Sequence, residues 1–149
     1  MRRLLGSDKY ADGSTVLHDS YRKKNAKSAQ QSQITLTWTK LRDDFNRCLK
    51  TYQVPVITEF ATLGLSCVLV EKRAELEFTE VTLRGERADY WLGDKELLLE
   101  VSGQQSGDLD QLHAEKAEQL KENPFEKDGY VCVANYETKQ AQLWYHAHE

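Results

Sequence analysis

A chain of 149 residues is one domain by length and long enough to bury a real core. Its 24 acidic side chains outnumber 20 basic ones, a formal net charge of -4, so any contact with nucleic acid must use a local patch. No apolar run is long enough to span a membrane, and Met1-Arg2-Arg3-Leu4-Leu5-Gly6 lacks the apolar centre of a signal peptide, so a cytoplasmic protein is expected.

Residues 1–33 are polar and aperiodic. Tyr21-Arg22-Lys23-Lys24-Asn25-Ala26-Lys27 reads as a flexible basic arm, either a solvated tail or a phosphate-contacting segment using Arg22, Lys23, Lys24 and Lys27. Residues 34–149 read as a single domain. Thr37 is a candidate cap for a helix from Trp38 to about Tyr52, whose Trp38, Leu41, Phe45, Cys48, Leu49 and Tyr52 recur at helical spacing. Pro55 suits the first turn of a second helix, running to about Lys72 and apolar except for Glu59.

Three strands are predicted at about 76–84, 87–93 and 96–102, with turns at Gly85-Glu86 and Gly93-Asp94. Ser102-Gly103-Gln104-Gln105-Ser106-Gly107 reads as a mobile loop. A third helix spans about 108–122, starting near Asp108 or Asp110, burying Leu109, Leu112, Ala117 and Leu120, and ending at Asn123-Pro124. Strands at 130–136 and 141–146 close the chain. A helix between the third and fourth strands lets them lie parallel, so an α/β fold with a mixed sheet flanked by helices is expected. Cys48, Cys67 and Cys132 lack zinc spacing and read as reduced core thiols. His146 and His148, near the C-terminus, carry no expected role.

Two acids stand out because strands are normally depleted in them: Asp89 in Arg87-Ala88-Asp89-Tyr90-Trp91-Leu92, and Glu100 in Leu97-Leu98-Leu99-Glu100-Val101-Ser102. A half-buried carboxylate is costly unless paired, and a divalent cation is one such partner. If Gly93-Asp94-Lys95-Glu96 is a four-residue turn, Leu92 faces Leu97 and Asp89 falls opposite Glu100. A two-residue turn leaves the acids diagonal neighbours on one face, whereas a three-residue turn separates them. For Asp89 the bland alternative is a salt bridge to Arg87, and for Glu100 an edge position.

The order helix, three strands, helix, strand, with an acid on the second strand and an acid two residues before a polar side chain on the third, resembles the PD-(D/E)XK, or restriction-endonuclease-like, nucleases over about residues 54–146. The resemblance implies an αβββαβ core. It implies Asp89 and Glu100 as ligands of Mg2+ or Mn2+, with the Val101 carbonyl as a further ligand and Glu59 as the acid of the first core helix. Position 102 departs from the family pattern, with Ser102 where lysine is usual. The following helix offers Lys116 in its place, and His113 and Gln119 lie on that helix too. Gln104, in the adjacent loop, joins the candidate nucleic-acid contacts.

The function this implies is a metal-dependent endonuclease acting on DNA rather than RNA, with the metal polarising a phosphoryl oxygen and supplying hydroxide near neutral pH. A homodimer or a place in a larger complex is expected. The alternative is a catalytically inactive nuclease-like domain that binds nucleic acid or serves assembly, or an unrelated α/β interaction domain.

Overall fold

The computed structural model describes residues 10–42, 49–82 and 88–149. Its elements in chain order are β1 (Tyr10–Arg22), β2 (Gln30–Arg42), α1 (Val54–Leu69) continued by a π-helical turn (Val70–Ala74), β3 (Phe78–Val81), β4 (Tyr90–Leu92), β5 (Leu97–Gln104), α2 (Leu109–Lys121), β6 (Gly129–Asn135) and β7 (Gln140–His146). The strands form one mixed sheet in the order β2-β1-β7-β6-β5-β4-β3. β5 and β6 run parallel, as do β1 and β7, and the other neighbours are antiparallel.

Strand alternation sorts the core onto two faces. Leu99 and Val101 of β5 and Tyr130, Cys132 and Ala134 of β6 pack with Ala61, Leu65 and Leu69 of α1. Leu98, Val131 and Val133 pack with Leu109, Ala117 and Leu120 of α2 on the other side. Every residue of β6 is buried, as expected of a central strand covered on both faces. α1 approaches β5 closely because Gly103 lacks a side chain. A Cβ there would lie 2.0 Å from the Thr62 hydroxyl oxygen.

The N-terminal reading is corrected by two strands of 13 residues in place of a polar arm. Thr15, Leu17 and Asp19 are buried at every second position, as is Ile34, and Val16 and His18 between them are exposed. Period two, rather than mean polarity, decides the structure here. The helix expected from Trp38 is likewise a strand as far as Arg42, and Trp38 lies across Gly13. Leu49 and Tyr52, expected in the core, are exposed, and Phe45 and Cys48 lie outside the described residues.

α1 matches its expected span, with Pro in its first turn. By length and composition alone, Val54–Ala74 is apolar enough to cross a membrane, contrary to the expectation that no such run exists. Thr58, Thr62 and Ser66 interrupt its apolarity only nominally, because their hydroxyls donate to the carbonyls of Val54, Thr58 and Leu63. The π-helical turn carries Arg73, whose guanidinium donates two hydrogen bonds to buried Asp19 at 2.8 and 3.0 Å, tying α1 to β1. Of the described cysteines, Cys132 is buried, but Cys67 is exposed on the outer side of α1, which corrects its core reading.

Candidate active site

Backbone register leaves both acids at the end of the β4–β5 pair. β4 and β5 pair Leu92 with Leu97, Trp91 with Leu98 and Tyr90 with Leu99, so the connection is the four-residue turn. Gly93 and Lys95 take left-handed φ values of 58° and 61° to close it. The ladder stops at Tyr90 and Leu99, one position short of Asp89 and Glu100. Pairing ends at Tyr90, so Asp89 precedes β4 instead of lying within the strand. Its N–H donates to the Leu99 carbonyl and its own carbonyl accepts from Thr82 N–H, both at 3.0 Å. The residues expected to form the Gly85-Glu86 turn, and Arg87, lie outside the described residues.

The Asp89 carboxylate takes over where the ladder stops, accepting the Val101 N–H at 2.7 Å. Leu98 N–H donates to Asp128 on the β6 side, so alternate residues Leu99 and Val101 turn their backbone groups toward β4. The Val101 carbonyl therefore faces the same strand end as the Asp89 carboxylate.

Glu100 is 1% exposed. Its Oε1 accepts a hydrogen bond from Lys116 Nζ at 3.0 Å, and its Oε2 is buried with no hydrogen-bond partner among the described residues. Lys116 reaches down from α2 and also donates to Gln119 Oε1 at 3.1 Å. Asp108 caps α2 by accepting from Gln111 N–H, which fixes the helix start and with it the position of Lys116 two turns later.

Burial pushes the Glu100 carboxyl up to about 7, and the charge of Asp89 adds to the rise against the opposing effect of Lys116. Asp89 is raised as well, first by burial, with the Val101 N–H and Lys116 opposing and Glu59 adding. Glu59 is exposed on α1, where it lines a cavity of about 180 Å3 with Val56, Phe60, Leu63, Asp89 and Val101. Sequence reasoning singled out Glu59 but missed its apolar companions. Val56, Phe60 and Leu63 recur at spacings of four and three, a readable helical stripe.

Other sequence candidates lie elsewhere. His113 is buried, its Nε2 2.9 Å from His146 Nε2 and its ring centroid 4.4 Å from that of Trp144. Burial lowers it to about 3, with His146 and Arg22 contributing, and burial followed by Arg22 and Lys121 lowers His146 to about 4. Both histidines pack between α2 and β7, where His113 contacts His146 and Trp144. The lysines Lys23, Lys24 and Lys27 lie in the β1–β2 turn, while Arg22 ends β1 with its guanidinium 4.8 Å above the Trp144 ring. With β7 and β6 between β1 and β5, these residues are about 15 Å across the sheet from the acids. Ser102 is half-buried on β5, and Gln104 ends that strand with a buried Nε2 lacking a partner among the described residues.

Among the described residues no three His, Cys, Asp or Glu side chains gather as a metal cage. The donor chemistry nevertheless fits Mg2+, which keeps several waters and needs only one or two protein carboxylates. Glu100 Oε2 has no competing donor among the described residues, and the charge of Lys116 acts on both acids. Comparison of the chain with protein-family models, curated proteins and solved structures gave no match.

Proposed function

We propose that this protein is a metal-dependent endonuclease acting on DNA, a divergent PD-(D/E)XK enzyme with a restriction-endonuclease-like core. The observation that carries the reading is Lys116 Nζ at 3.0 Å from Glu100, beside Asp89 at the open end of the β4–β5 pair. It supplies from α2 the positive charge that Ser102 lacks. The run α1, β3, β4, β5, α2, β6, with β5 and β6 parallel, is also the order the resemblance implies.

Mg2+ or Mn2+ held by Asp89, Glu100 and the Val101 carbonyl supplies Lewis acidity and hydroxide near neutral pH. Lys116 neutralises charge that builds on the phosphoryl oxygens, and Gln119 holds its ammonium in place. Glu59, across the cavity, accepts a proton, and Ser102 orients water through its hydroxyl. Glu100 holds a proton in part near pH 7 without a cation, so cleavage should rise as pH increases from 6 to 8.

Ser102 in place of lysine and the net charge of -4 favour one second reading, an inactive domain that binds DNA on this surface. Labelled single-stranded, duplex and branched DNA, incubated with Mg2+ or with chelator, separates the two. The nuclease reading expects metal-dependent cleavage by wild type and none by Asp89→Asn with Glu100→Gln. Cleavage that survives in the double variant sinks it, and DNA retention without cleavage by wild type favours the inactive domain.

A further inference from the structure

The cavity beside the acids has two kinds of wall. Glu59 and Asp89 supply carboxylates, while Val56, Phe60 and Leu63 of α1 and Tyr90 of β4 supply apolar and aromatic surface. Among the described residues no lysine or arginine lines it. Its volume of about 180 Å3 lies below the roughly 300–1,000 Å3 of sites that take drug-sized molecules, so it suits a single ring system.

The apolar wall continues outward. Phe60 is 61% exposed, and Tyr52, 53% exposed, stands edge-to-face to it with ring centroids 6.3 Å apart. Val54, the first residue of α1, is exposed as well. One exposed aromatic means little, but a group of apolar side chains at the rim of a cavity marks a contact surface.

The acids decide what that contact is. A protein side chain pressed onto Phe60 at the cavity mouth would also cover Asp89 and Glu59, and buried carboxylates without a partner are costly. A nucleotide fits both walls. Its phosphate goes to the cation that neutralises the acids, and its base offers a flat π face to the Phe60 ring. In a continuous duplex each base is stacked on its neighbours and has no free face. Only a base outside that stack can use an aromatic platform.

We propose that Phe60, braced by Tyr52, stacks an unpaired base next to the bound phosphate. The substrate is then DNA with unpaired nucleotides, a single strand or the open part of a branch, and not a continuous duplex. This rests on the nuclease reading, which supplies the phosphate. Phe60 is a binding residue here and takes no part in the chemistry.

Fluorescence anisotropy with Asp89→Asn, Glu100→Gln tests the platform, because the neutral side chains neither cleave DNA nor repel its phosphates. Stacking predicts that a short labelled single strand binds about tenfold tighter than the same strand in duplex. Adding Phe60→Ala should weaken single-strand binding about 5- to 100-fold, and Phe60→Trp in its place should keep it. A 2-aminopurine in the strand should lose fluorescence on binding to the protein with Phe60 and lose less with Phe60→Ala. The proposal is overturned by duplex binding as tight as single-strand binding, by single-strand binding that Phe60→Ala leaves unchanged, or by no single-strand binding at tens of micromolar. Cleavage by wild type with Mg2+ separates this from the nuclease reading. Single-strand binding as expected, with no DNA cleaved, sinks that reading and leaves the base platform in place. Metal-dependent cleavage of duplex and single strand alike, indifferent to Phe60→Ala, overturns the platform and keeps the nuclease.

Discussion

α2 presents two buried ionisable clusters to the same sheet, and they resolve burial in opposite ways. His113 and Lys116 are three residues apart and share one side of the helix. His113 meets His146 and Trp144, and burial keeps both imidazoles neutral at ordinary pH. Lys116 meets Glu100, one of whose oxygens has no partner among the described residues, and both Glu100 and Asp89 have raised carboxyls. The first arrangement costs little at neutral pH and holds α2 to β7. The second sets like charges close together beside a cavity, a cost that a purely structural contact does not require.

The strongest way to break this comparison is to remove the charges on one side at a time. Asp89→Ala with Glu100→Ala is expected to abolish cleavage, and Lys116→Met to lower it about 10²- to 10³-fold, by the usual cost of losing one charge-stabilising donor. His146→Gln should leave cleavage unchanged. A comparable loss in that variant, measured in the same gel assay, would mean that the two clusters are not separate in function.

Acid stability comes next in size. The folded-state pKa values of His113 and His146, about 3 and about 4, lie below the ordinary histidine value, so the unfolded chain binds more protons. Their contribution is present above pH 6.5 and is lost as pH falls toward 3, a few kcal/mol across the window. Urea midpoints from pH 7 to 4 should fall in wild type and fall less steeply in His146→Gln, where buried His113 remains.

Glu100 has the opposite sign. Its folded-state pKa of about 7 lies above the ordinary 4.5, so stability falls as pH rises between those values. Glu100→Gln should raise stability at pH 8 by about 1–3 kcal/mol and leave it nearly unchanged at pH 4. A destabilised variant at pH 8 would mean that the Lys116 contact outweighs the burial cost. The smallest expected effect sharpens the role of charge: Ser102→Lys added to Lys116→Met should recover about tenfold of the lost cleavage, a fraction of the 10²- to 10³-fold loss.

The acid pair was legible in the sequence because turn chemistry fixes register. Gly93 and the residues around it close the four-residue turn reached by counting, with Leu92 against Leu97, which leaves Asp89 and Glu100 just past the end of the ladder. α1 and α2 were legible from Pro55 and from Asp108 with Asn123-Pro124. The β1–β2 ribbon was not, because Gln31, Gln33, Thr35 and Thr37 on its outer face dominate the mean composition and mask the inward row of Ile34, Leu36 and Trp38. The burial of His113 was also hidden. Asp110, Glu115, Lys116 and Glu118 make its helix polar on average, and the residues that bury it, Trp144 and His146, lie about thirty positions away on β7.

Calorimetric titration of Mn2+ or Mg2+ into wild type and into Asp89→Ala with Glu100→Ala, each with bound DNA, decides whether the two acids hold a metal. Both acids at one metal site predict binding in the low-millimolar range or tighter for wild type and none for the double variant. Equal binding by both proteins, or none by wild type with DNA present, would contradict a metal site at Asp89 and Glu100.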